Sequence, residues 1–244
     1  MSATFADQPP LAARLHAALV KVRTLREGVR SDPVAARDRQ AVRAWQAGRL
    51  TRTYPDLLAS PRFGPAARFF LSDLYGPKDF SARDEALGRI VPMLARVLPA
   101  AALETIALAI ELDGLAEDLD LRLARALRAQ QPDGDLAVTE AAYAAAYRNG
   151  SKAERERQIE LVDRIGRTLD RLARKPLLGT ALRVMEAPAR AAGLIALHEF
   201  LALGFGAFRH MRGAEEFLAT IAARETLLNN RLFAGVAQPF DIER

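Results

Sequence analysis

Apolar positions recur at helical spacing along nearly the whole chain, and no stretch alternates with period two over the length of a strand. Leu11, Leu15, Leu19, Val22 and Val29 share one face of a helix predicted over 11–30, introduced by Pro9-Pro10. Ser31-Asp32-Pro33 combines a cap with a proline at the first helical position, and opens a second helix running to about Gln46, before Gly48. Short turns around Pro55 and 60–65 lead to a helix over 65–75. Further helices are expected over 82–98, with Pro92 inside, and over 100–130, with Leu103, Ile106, Ile110, Leu119, Leu123 and Leu127 inward. Beyond the 131–135 loop come a short Ala/Tyr helix holding Tyr143 and Tyr147, and a helix over 152–174 capped by Ser151 with Glu154 as box partner.

Two stretches organise this series. Phe69-Phe70-Leu71-Ser72-Asp73-Leu74-Tyr75-Gly76-Pro77 ends a helix, and Ser81-Ala82-Arg83-Asp84 starts the next, so 69–84 reads as a corner. Capping explains part of it and leaves Asp73, Tyr75, Lys78, Asp79 and Arg83 as a salt-bridged elbow or the mouth of a pocket. The second stretch, 176–211, is the most apolar and is punctuated by Gly179, Gly193, Gly204 and Gly206. Within it 191–208 barely reaches spanning length and carries His198 and Glu199 near its centre, which argues against a membrane span. The expected fold is therefore all-α: a single bundle of about nine or ten helices around a buried, glycine-rich, apolar C-terminal helix. Its parts are a basic hairpin over 1–52, a core with the Tyr-Gly-Pro corner over 53–130, and a C-terminal helical part over 136–244, all in one compact domain.

Charge adds a partner class. Residues 1–52 hold ten Lys/Arg against four Asp/Glu, while the remainder is nearly balanced, so the net +5 reflects a basic N-terminal hairpin. Arg23, Arg26, Arg37 and Arg43 are its candidate anion contacts, for nucleic acid, an acidic protein or a phospholipid surface. Trp45 stands alone among these arginines, which disfavours a base-stacking platform. Cysteine is absent, excluding disulfides and thiolate chemistry, and the opening residues lack a secretory pattern; both features point to the cytoplasm.

Candidate chemistry is sparse. Among the three histidines, His198 lies in the apolar tract, where it reads as a hydrogen-bonded core residue or as a haem or metal ligand beside Glu199. No Glu-x-x-His pair of the di-iron type occurs, and no metal site is assigned. The acidic run from Glu111 to Asp120 reads as an exposed face, although Asp113, Glu117 and Asp120 share one side by spacing. Nucleotide-binding and nucleophile-elbow fingerprints are missing.

The block Phe69-Phe70-Leu71-x-Asp73-Leu74-Tyr75-Gly76-Pro77-x-Asp79-Phe80-x-x-Arg83-Asp84 resembles a signature of uncharacterised helical proteins from proteobacteria. Gly204-Phe205-x-Ala207-Phe208-x-x-Met211-x-Gly213-Ala214-x-x-Phe217-Leu218-x-x-Ile221-x-x-Arg224-Glu225 resembles the C-terminal part of the same family. The resemblance implies a bacterial, soluble, helical protein and carries no activity or cofactor. The leading expectation is thus a binding protein rather than an enzyme, holding an apolar small molecule or a partner helix in a bundle cavity. The alternatives are a haem- or metal-dependent enzyme using His198 and an anion binder using the hairpin.

Overall fold

The computed structural model describes residues 11–74 and 100–242, which hold ten α-helices, one π-helical turn and no strand. The first hairpin is α1 (Leu11–Arg30) and α2 (Pro33–Thr53). Asp32 fixes the start of α2 by accepting from the Val34 and Ala35 amides at 2.9 and 3.0 Å, with Pro33 in the first turn. The helix runs through Gly48 to Thr53, further than expected, because only Pro55 removes the next amide donor. The turns expected near 55 and 64 are the short helices α3 (Pro55–Ala59) and α4 (Gly64–Phe69), and α4 widens into a π-helical turn over Phe70–Leu74. Asp73 belongs to this turn. The rest of the corner, with Tyr75, Lys78, Asp79 and Arg83, and the helix expected over 82–98 lie outside the described residues.

The long helix α5 (Ala100–Gln130) spans roughly 46 Å at 1.5 Å per residue, and α1, α2, α6 (Glu140–Arg148) and α7 (Lys152–Ala173) all pack on it. Its loop to α6 is pinned by Arg128, which donates to the carbonyls of Gln131 and Gly134 and also binds Asp38. Ser151 caps α7 through the Glu154 amide at 3.3 Å, but the Glu154 carboxylate pairs with Arg122 and does not return to close a box. The chain continues through α8 (Pro176–Ala191), α9 (Ile195–Met211) and α10 (Glu215–Ala234).

The bundle matches the expected class, but its organising element is α5. The apolar tract breaks at Gly193, which takes φ +67°, so 192–194 is a turn and not helix interior. In α9 the buried residues are Leu197, Ala207, Phe208 and Met211, whereas Leu201, Leu203, Glu199 and Gly206 are exposed. This helix is an amphipathic outer member and not an interior rod; its high hydropathy reflects alanines and leucines left on the surface as well as those buried.

Three apolar clusters form the interior. One, around Phe208, Phe217, Leu218 and Met211, joins α3, α4, α9 and α10. A second, around Val42, Leu127 and Tyr143, joins α2, α5 and α6, and a third joins α1 to α5.

Candidate functional site

The site lies where the two larger clusters meet. A partly enclosed cavity of about 130 Å³ opens between α2, the π-helical turn, α6, α7 and α10. Phe70, Leu71, Leu57, Phe217, Leu218 and Ile221 form an apolar wall. Polar lining comes from α2, α5, α6, α7 and α10: Gln46, Arg49, Asp120, Tyr147, Arg155, Glu225 and Asn229 are among its residues.

Each polar group is held by helix register. On α10, Ile221, Glu225, Leu228, Asn229 and Leu232 fall on one stripe by i, i+4, i+7, i+8, i+11 spacing, so Glu225 and Asn229 enter the interior with the leucines. On α2, Val42, Gln46, Arg49, Leu50 and Thr53 repeat that spacing. Glu225 then accepts from Arg49 Nη1 and Nη2 at 2.5 and 3.0 Å and from the Tyr54 hydroxyl at 2.7 Å. Burial opposes the charge of Arg49, yet the adjacent carboxylate holds its pKa above the ordinary arginine value. Burial, reinforced by Glu225, also holds the Tyr54 phenol well above its usual range.

A second network runs along the same wall. Gln46 donates to Asp120 Oδ1 at 3.1 Å and reaches the Tyr143 hydroxyl at 3.4 Å. Loss of hydration raises the Asp120 carboxyl above its usual range, against the pull of Arg155 and Arg43. Tyr147 donates to Asn229 Oδ1 at 2.9 Å, and the Arg155 guanidinium lies 4.6 Å from the Tyr147 ring centre while donating to Gln158 at 3.2 Å. Trp45, isolated in sequence, is stacked on Tyr143 with ring centroids 3.9 Å apart and meets Phe240 edge-on at 5.4 Å. Two donors on this wall, Arg49 Nε and Asn229 Nδ2, are buried without a hydrogen-bond partner.

Of the candidate site residues, His198, Glu199, Arg23, Arg26, Arg37 and Arg43 do not line this cavity, whereas Phe70 and Leu71 of the first motif, Phe217, Leu218, Ile221 and Glu225 of the second, and Asp120 of the acidic run do. His198 lies between α9 and α8 and donates from Nε2 to the Leu182 carbonyl at 2.8 Å; Glu199 beside it is exposed. His210 Nε2 lies 2.9 Å from the Pro61 carbonyl, and His16 is exposed on α1. Among the described residues no three His, Asp or Glu side chains gather as a metal site, and no helix is long and apolar enough to cross a membrane.

The arginine hairpin divides in two. Arg23 bonds Glu27 at the surface at 2.9 Å, and Arg37 is exposed. Arg26 instead grips Asp113 through both oxygens at 2.9 and 2.8 Å, and Arg43 lies among Asp113, Glu117 and Asp120, with burial and Arg39 pulling its pKa down. The acidic run of α5 is thus the counter-face of the hairpin and of α7, not a solvated face: Glu117 is buried beside Arg39, and Glu111 binds Arg157.

Fold and site together define an all-helical protein with an amphiphilic cavity at the junction of its cores. The chain belongs to the family described as Domain of unknown function (DUF8198), which matches residues 25–239. A family without an assigned activity agrees with the motif resemblance. No curated protein and no solved structure matches the chain.

Proposed function

We propose that the protein is a binding protein that holds a small molecule in the cavity between α2, α6, α7 and α10. The single observation that supports this is a cavity whose polar wall, otherwise densely hydrogen-bonded, leaves two buried donors unused. Buried donors in folded proteins almost always have a partner, and where the protein supplies none, water or a ligand must. The apolar lining of Phe70, Phe217 and Leu218 in the same cavity favours an organic molecule over a cluster of water. The purely apolar ligand suggested by hydropathy gives way to an amphiphilic one, because polar side chains share the lining with the larger apolar part. Among the described residues of the wall no nucleophile is paired with a base, so binding, rather than turnover, is the chemistry this arrangement favours.

Native mass spectrometry of the untreated protein, with Ala222→Leu as the comparison, tests the reading. Ala222 lines the cavity, and an isobutyl group there occupies the ligand volume. A bound small mass present in the wild-type protein and lost in the variant is expected. An apo wild-type protein whose melting temperature responds to no small amphiphile would overturn the proposal.

A further inference from the structure

We infer that the ligand of this cavity is uncharged and carries a hydrogen-bond-accepting oxygen on a small apolar body, the oxygen meeting the free donors of Asn229 and Arg49. This rests on the cavity-binding reading and adds the ligand's chemistry to it. Asn229 is only 1% exposed; its Oδ1 is taken by Tyr147, and its Nδ2 has no partner. Arg49 spends both terminal nitrogens on Glu225 and keeps Nε unpaired. Both residues line the cavity, and both free atoms are N–H donors, so the complement is an acceptor.

The charges already on the wall weigh against an ion as that complement. Arg49 is paired with Glu225, and Arg155 and Arg43 act on Asp120 from nearby. A carboxylate ligand would have to compete with Glu225 for Arg49 and with Asp120 for Arg155, and an ammonium would lie against the same guanidinium groups. One acceptor remains unpaired, Asp163 Oδ1, whose other oxygen takes Arg167 Nε at 2.7 Å. It belongs to the opposite end of the cavity: Gly166, one turn further along α7, abuts Leu218, which places Asp163 on the order of 10 Å along α10 from Asn229. Size completes the description. At about 130 Å³ the cavity is slightly smaller than the ~150 Å³ that accepts benzene, so the body is a single small ring or its equivalent.

Four probes of similar volume separate the cases: cyclopentanone, methylcyclopentane, cyclopentylammonium and cyclobutanecarboxylate. Each is titrated into the full chain, freed of any co-purified molecule, and followed by amide chemical shifts. Cyclopentanone is expected to bind about tenfold more tightly than methylcyclopentane, the margin of one well-made buried hydrogen bond. Asn229→Leu should erase that margin while methylcyclopentane still binds, with Asn229→Ala replacing it if leucine prevents folding. The ranking on the wild-type chain needs neither variant. If the hydrocarbon or either ion binds as tightly as the ketone, the headgroup inference fails and the cavity reading survives. If no probe binds and no small mass is retained by the untreated protein, both fail.

Discussion

Glu225 accepts three hydrogen bonds from two residues at once, and its surroundings make that arrangement costly to disturb. The Arg49 and Glu225 side chains are 13% and 21% exposed, so most of the charge on each is compensated only by the other. Glu225→Gln leaves the Arg49 cation without its partner and should lower the unfolding free energy by about 2–4 kcal/mol in urea titrations. The equivalent change at the solvent-exposed pair Arg23–Glu27 should stay within about 0.5 kcal/mol, because water already screens it. Tyr54 adds a pH dependence. Its folded pKa is raised, by burial first and then by Glu225, whereas in the unfolded chain a tyrosine loses its proton near about pH 10. The native state therefore binds more protons above that value, and stability present below it declines as pH rises. Tyr147, also raised mainly by burial, works in the same direction. Comparing urea melts at about pH 8 and about pH 11, Tyr54→Phe should lose less stability on alkalinisation than the wild-type chain; an identical loss would show that this phenol is not held neutral by its site.

At the level of helices, glycine reads differently according to what lies over it. Gly166 on α7 lets α10 approach so closely that an added Cβ would clash with the Leu218 Cδ2, and Leu218 is itself buried. Gly166→Ala should destabilise by about 1–2 kcal/mol, the overpacking penalty outweighing the gain in helix propensity. Gly206 on α9 has nothing within 4 Å of the same atom, so Gly206→Ala should stabilise by about 0.5–1 kcal/mol. Thermal melts of the two variants should move in opposite directions. In the sequence Gly206 reads only as punctuation of the apolar tract and Gly166 as one more position of a charged helix, since periodicity reports the face of a residue and not the distance to its neighbour. The same limit hid the cavity. The stripe from Ile221 to Leu232 could be read, with Glu225 and Asn229 as polar intruders on it, and so could Gln46 and Arg49 on the stripe of α2. What could not be read is that the two stripes face each other, because that follows from how α2 and α10 meet across 176 residues of chain. The α-helical class, the caps at Asp32 and Ser151 and the long α5 were legible because they depend on local spacing and capping chemistry alone.

Across the whole molecule, charge and cavity are linked through α2. One face of this helix is tied to α5 by ion pairs such as Arg39–Glu117, where Nη2 donates to Oε2 at 2.8 Å and the carboxylate is 5% exposed. Further along, α2 contributes Gln46, Arg49 and Leu50 to the cavity wall. A basic hairpin in a chain of net charge +5 suggests an anionic partner, yet much of its charge is met within the fold by the acids of α5. The double variant Arg23→Ala/Arg37→Ala removes exposed guanidiniums and should change stability by no more than about 0.5 kcal/mol. Arg26→Ala/Arg39→Ala strips partners from Asp113 and the buried Glu117 and should cost about 2–4 kcal/mol. Because α2 then rests less firmly on α5, the loss should extend to the cavity: amide exchange should rise along α2, and cyclopentanone should bind several-fold more weakly than to Arg23→Ala/Arg37→Ala. Equal stability and equal affinity in the two double variants would mean that the arginines of α2 and α1 serve a partner outside the chain, and that the cavity wall is held in place by apolar packing alone.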